Sequence, residues 1–220
     1  MNQSTWTAVD TYFNDVLLTA DPVLEQTIRA SEAAGMPQHQ VAPNQGKLLQ
    51  VLIQMMGAKN ILEIGTLAGY STIWLGRAVA PEGRVITLEA NAAYAEIAKQ
   101  NIALADLSNI VDVRMGKAID TLPQLENLAP FDFIFIDADK PSNPDYLRWS
   151  LKLSRPGTII VGDNVVRNGA VVEPDSTDPK VQGVRTFLQM IADEPRLSAT
   201  AIQTVGSKGY DGFSIVRVLA

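Results

Sequence analysis

The chain contains no cysteine among its 220 residues. That excludes a disulfide scaffold, a thiolate zinc site, a cysteine nucleophile and an iron–sulfur cluster. Its single histidine, His39, excludes a two-histidine metal site. No apolar run reaches the ~18 residues of a membrane span. The first residues, MNQSTWTAVDTYFNDVLL, lack the basic and apolar stretches of a secretory signal. Twenty-four acids against eighteen bases leave a net charge of −6, with no basic cluster. This argues against a nucleic-acid surface. The expectation is a cytoplasmic protein without membrane or nucleic-acid partners. Any metal chemistry must use oxygen ligands.

What is present is ordered. Apolar residues from Thr5 to Ala20 recur at helical spacing. Asp21-Pro22 caps a second helix that Gly35 ends, and a third helix is closed by Gly57. From there short apolar runs alternate with helical stretches. The runs are Ile61–Ile64, Val85–Leu88, Ile110–Val113, Phe131–Ile136 and Thr158–Val161. Helices are predicted near 71–80, 91–105, 117–128, 143–154 and 181–193, and two last strands near 198–205 and 213–218. Such alternation predicts one α/β domain with a mostly parallel sheet covered on both faces. Residues 1–57 read as a helical cap and 58–220 as a Rossmann-like core.

In such sheets ligands bind beyond the carboxyl ends of the strands. Four of the first five strands end in acids: Glu63, Glu89, Asp137 and Asp163. LEIGTLAGYS (62–71) forms a strand-to-helix turn in which Gly65 admits a close ligand. Leu67 stands where a dinucleotide fingerprint has its second glycine, which speaks against a pyrophosphate. Glu63 suits an ammonium or sulfonium better than a phosphate. Glu89, 24 residues after Gly65, can accept from a ribose diol. Together they point to S-adenosylmethionine. The plainer reading is a generic turn with solvated acids.

FDFIFIDADK (131–140) runs into Asp137, Asp139 and Lys140, and the next strand runs into Asp163-Asn164. If those strands are neighbours, Asp137, Asp163 and Asn164 offer three hard oxygen ligands. That set suits Mg²⁺, Mn²⁺ or Ca²⁺. A neighbouring divalent cation disfavours a second positive charge, which suits Lys140 as a general base. The plainer reading is a solvated loop pair and a turn.

These residues resemble the cation-dependent class I O-methyltransferases, the group of the catechol and caffeoyl-coenzyme A enzymes. The resemblance runs from about Val41 to the C-terminus and is most specific in LEIGTLAGYS, FIDADK and IVGDN. It implies a Rossmann-like methyltransferase fold with strand order 3-2-1-4-5-7-6, strand 7 antiparallel, and a homodimer. It implies Asp137, Asp163 and Asn164 as metal ligands, with magnesium the usual ion, and Lys140 as the base. It implies a cofactor site of Val41, Glu63, Gly65, Thr66, Ser71, Glu89 and Ala118, with Asp137 where cofactor and metal meet. Leu67-Ala68 replaces an aromatic and a threonine common in relatives. Lys117 stands where an acidic or small residue is common. The expected reaction is methyl transfer from S-adenosylmethionine to a vicinal, catechol-like hydroxyl. The alternatives are a nucleotide-dependent oxidoreductase and a non-catalytic adenosyl-binding module.

Some residues have two readings. Tyr210 and Phe213 either reach an acceptor pocket or fill the final hairpin. Trp149 reads as core or dimer packing before a substrate contact, and His39 as a solvated loop residue before one that lines the acceptor site. Residues 165–180 form either a lid or a surface insertion.

Overall fold

The computed structural model describes residues 2–220. Three helices come first: α1 (Gln3–Leu17), α2 (Pro22–Ala33) and α3 (Pro43–Met56). Asn2 and Asp21 cap the first two through their side chains, and Gly57 ends the third in the left-handed region. Next come β1 (Asn60–Ile64), α4 (Tyr70–Ala78), β2 (Arg84–Glu89), α5 (Ala92–Leu104) and β3 (Val111–Met115). A short α6 (Ala118–Thr121), β4 (Phe131–Ile136), α7 (Asn143–Lys152) and β5 (Ser154–Asp163) continue the alternation. The chain closes with α8 (Pro179–Asp193), β6 (Leu197–Gly206) and β7 (Gly209–Val218).

Among the described residues the strands form one seven-stranded sheet in the order β3-β2-β1-β4-β5-β7-β6. The pairs from β3 to β5 are parallel, and β7 runs antiparallel to both β5 and β6. This is the expected Rossmann-like order. Strand alternation divides the core. Leu62, Ile64, Ile134 and Ile136 face one side with Leu147, Val184 and Phe187. Ile61, Phe133 and Phe135 face the other with Leu49, Ile53, Ile73 and Leu75. The helices α2 and α3 therefore share the core of the sheet, whereas α1 buries only Asp10. No helix among the described residues is long and apolar enough to cross a membrane.

Three segments differ from the sequence expectation. The stretch 117–128 is not one helix: α6 passes into a 3-10 helix over Leu122–Leu128, where Pro123 cannot donate to an α-helical ladder. β5 begins at Ser154 and slips register against β4 between Phe131 and Phe133, around Pro156-Gly157. The loop 165–180 holds a 3-10 turn over Arg167–Val172, broken at Asn168 and Gly169 by positive φ. Phe133 is fully buried at the centre of the sheet. Phe133→Ala is expected to cost about 3–5 kcal/mol in urea unfolding, and a loss under 1 kcal/mol would contradict that placement.

Candidate functional site

The parallel strands all end at one rim, and β1 and β4 meet there closely. Gly65 follows β1 with φ +106°, and a Cβ on it would lie 2.1 Å from the Asp137 carbonyl oxygen. Only glycine allows that approach. The turn after Gly65 is held from several sides. Asn101 Nδ2 of α5 donates to the Ala68 carbonyl at 2.9 Å. The Leu67 N–H donates to Glu89 Oε2 at 2.8 Å, and the Asn91 N–H to Glu89 Oε1 at 2.9 Å. Leu67 sits at φ +51° with its N–H already used, so this turn does not offer it to a phosphate. Each Glu89 oxygen keeps an acceptor site for a further donor.

A cavity of about 660 Å³ opens above this rim. Val41, Gly65, Thr66, Ser71, Glu89, Ala118, Asp137, Lys140, Asp163 and Asn164 all line it. Glu63 does not. It is fully buried beneath the floor, where it accepts from Ser71 Oγ at 2.6 Å, from Thr87 Oγ1 at 2.6 Å and from Thr72 Oγ1. The expectation that Glu63 faces a cationic ligand therefore does not match its position. On β1 it shares a face with Ile61, under α4, and it is linked to the cavity through Ser71 and, by way of Thr87, through Thr66. Burial pushes its carboxyl up to about 7; the three hydroxyls oppose this, and the charge of Asp137 adds to it.

The other half of the floor is charged. Lys140 Nζ lies 2.9 Å from Asp137 Oδ1, and the lysine side chain is only 7% exposed. Lys140 stands on a 3-10 turn over Lys140–Ser142. α8 rests on that turn: a Cβ on Gly183 would lie 2.2 Å from the Lys140 carbonyl oxygen. Asp139 accepts from Tyr146 and Ser142 and forms no ion pair with Lys140 among the described residues. Asp163 is raised by burial first and by neighbouring Asp137 second; Lys140, the Asn164 N–H and Gln45 act the other way. Asn164 adopts φ +55°, with its N–H donating to Asp163 Oδ1 at 2.8 Å.

Several lining residues had no signal in the sequence. Gln45 reaches Asp163 from the first turn of α3. Tyr70, Tyr94 and Tyr146 add aromatic wall; His39, for which lining the site was one of two readings, belongs to the lining too. Arg167 and Lys180 come from the two ends of the loop 165–180, one of whose two readings was a lid, and Lys208, which had no signal, from the β6–β7 turn. Tyr210 and Phe213 do not line the cavity; Phe213 packs into the core and Tyr210 donates to Gln203. Trp149 packs against the core and carries Lys152 over its ring.

Asp137, Asp163 and Asn164 present two carboxylates and an amide oxygen. Among the described residues no group of three or more His, Asp or Glu is placed to hold a metal. The Glu63 environment gives a pH signature. A carboxyl held near 7 in the fold and near 4.5 when free destabilises the fold as pH rises from 4.5 to 7. Below 4.5 it is neutral in both states and the cost disappears. The full difference is about 3 kcal/mol. Asp163, also raised to about 7, adds a slope of the same sign over the same window. Glu63→Gln is expected to lessen the slope of a stability-versus-pH series and leave the part due to Asp163, and an unchanged slope would show that Glu63 carries none of it.

The profile of the O-methyltransferase family matches residues 16–218. An O-methyltransferase from Bacillus cereus, crystallised with SAH, is 59% identical, superposes with a TM-score of 0.98 and covers 99% of this chain and 100% of its own. The catechol O-methyltransferase of Niastella koreensis is 51% identical over 99% of this chain and 100% of its own length. The O-methyltransferase TomG of Streptomyces achromogenes, crystallised with SAM, is 46% identical with a TM-score of 0.97 over the whole of both chains. With that profile spanning nearly its whole length, and the sheet order and strand-end turn already described, the chain belongs to the O-methyltransferase family.

Proposed function

We propose that this chain transfers the methyl group of S-adenosylmethionine to one oxygen of a vicinal diphenol, with a divalent cation bound at Asp137, Asp163 and Asn164. The observation that carries the reading is the single cavity shared by two residue sets. The Gly65 turn and Glu89 lie on the β1–β2 side, and the Asp137–Lys140 pair with Asp163 and Asn164 on the β4–β5 side. Relatives bound to SAM and SAH support the cofactor, and relatives named catechol O-methyltransferase support the acceptor class.

The donor set fits a hard cation. Two carboxylates meet there, and the buried Asp163 is pushed up by Asp137, so a positive charge between them relieves their repulsion. Such a cation, when bound, acidifies the hydroxyls of a chelating diphenol. S-adenosylmethionine supplies a methyl group on a sulfonium, a strong electrophile. The chain does the rest. Glu89 accepts from the ribose hydroxyls. Ser71, whose hydroxyl proton is given to Glu63, keeps its oxygen free to accept from the cofactor. Lys140, beside Asp137, would take the proton of the attacking hydroxyl as the neutral amine, the form that a cation bound at Asp137 would favour. The C–S bond breaks as the C–O bond forms, leaving a methyl ether and the demethylated thioether. Holding the two reactants in line supplies much of the rate.

Lys140→Ala is expected to lower kcat by about 10²–10⁴ while the affinity for S-adenosylmethionine, read by calorimetry, changes less than about twofold; an unchanged kcat would remove the base. Dialysis against EDTA is expected to abolish turnover and Mg²⁺ to restore it, and full activity after EDTA would remove the metal.

We also propose a homodimer. α1 leaves Val9, Tyr12, Phe13, Val16 and Leu17 exposed, and Met55 on α3 is 79% exposed. That is more apolar surface than helices facing water usually keep. Light scattering is expected to give about twice the 23.8 kDa chain mass, and a monomeric mass would overturn the assignment.

A further inference from the structure

Three cations on the cavity wall have no role in the reaction above. Arg167 follows β5, Lys180 stands at the start of α8, and Lys208 sits in the β6–β7 turn. None forms an ion pair with an acid among the described residues. Glu173, Asp175 and Asp178 lie on the same loop as Arg167 and Lys180 yet do not line the cavity. The acids that do line it are Glu89, Asp137, Asp139 and Asp163. Glu89 takes backbone donors, Asp139 is held by Tyr146 and Ser142, and Asp137 takes Lys140.

The cations are also one-sided. All three come from the β5–β7 half of the rim, whereas Leu67, Glu89, Tyr94 and Ala118 line the β1–β3 half. Their side is thus the one away from the ribose acceptor. Their donors are not all used. Arg167 Nε is buried without a hydrogen-bond partner. Lys208 Nζ makes one bond, to the Gln38 carbonyl at 3.0 Å, and an ammonium has three protons to give. Three like charges on one side of an opening, none of them paired with an acid, favour an anion on that side. In a chain of net charge −6, composition does not explain the gathering.

We infer that the acceptor bears an anionic group, a carboxylate or a phosphate, which Arg167, Lys180 and Lys208 receive while its hydroxyls face Lys140. This rests on the acceptor reading above and adds to it a substrate class. Charge-assisted hydrogen bonds from such groups are strong enough to set specificity.

The test compares three diphenols of similar size: neutral 4-methylcatechol, 3,4-dihydroxybenzoate and 3,4-dihydroxybenzylphosphonate. With S-adenosylmethionine and Mg²⁺, at least one anionic acceptor is expected to exceed 4-methylcatechol in kcat/KM by about tenfold or more. The better of the two anions identifies the group. In the double variant Arg167→Gln, Lys180→Gln the ratio is expected to fall towards one, and about tenfold more salt should compress it in the unsubstituted protein. Equal or better use of 4-methylcatechol overturns the inference. So does an unchanged ratio in the variant, or a variant that loses affinity for S-adenosylmethionine instead, since the cations would then serve the cofactor. If no diphenol is methylated, the acceptor reading itself falls. Calorimetric titration of the protein loaded with S-adenosylhomocysteine then decides the anion question alone. Tighter binding of an anionic compound, lost in the variant, sustains it, and equal affinities overturn it.

Discussion

The site depends on the contact between the ends of β1 and β4. Gly65 lies so close to the Asp137 carbonyl that any side chain there would collide with backbone. Backbone against backbone leaves little room to adapt, so the position of Asp137 is set by the sheet register. Lys140 is three residues further on, and its carbonyl is in turn pressed by α8 at Gly183. Two missing side chains, one on each flank, thus locate the Asp137–Lys140 pair. The register of β4 with β5 then places Ile136 beside Gly162, which brings Asp163 to the same level as Asp137.

Two buried carboxyls show how partners decide a role. Glu63 and Asp163 are both raised mainly by burial. Glu63 has three hydroxyl donors and no cavity surface, so it braces the strand-end turn. Asp163 faces the cavity beside a second carboxylate and lacks a full set of donors. Equal desolvation therefore yields one structural acid and one that a cation would relieve. Charge is divided on a larger scale as well, with acids on the floor and unpaired cations on one wall.

Much of this was legible because strand ends are easy to read. Apolar runs bounded by Gly, Asp and Asn gave the sheet, and the acids that follow them fall on its rim for a geometric reason. Glu63 shows the limit: one residue inside the strand end, the two-residue alternation turns the side chain under α4 instead of into the cavity. The helix expected at 117–128 was read from apolar spacing, which does not register what Pro123 does to the hydrogen-bond ladder. The basic wall was half legible: Arg167 and Lys180 bound the loop 165–180, already read as a lid or a surface insertion, but nothing along the chain joins Lys208 to them. Gln45 is an ordinary polar residue in a helix until α3 is set against β5.

The tip of the last hairpin has a consequence for the order of assembly. Asp10 accepts from the Ser207 N–H at 2.7 Å and from Asn44 Nδ2 at 2.9 Å, and Gln3 Nε2 donates to the Gly206 carbonyl at 2.8 Å. The first helix is therefore clasped to residues some 200 positions later. Contacts of such long range carry the largest loop-closure cost. On a ribosome the strands from 60 to 115 emerge first, so the β1–β3 half of the cavity can form while the β6–β7 turn is still unmade. Until the hairpin arrives α1 keeps, of these bonds, only that from Asn44, and the wall lacks Lys208. The nascent chain can thus build one side of its cleft early, but the enclosure as a whole waits for the β6–β7 hairpin.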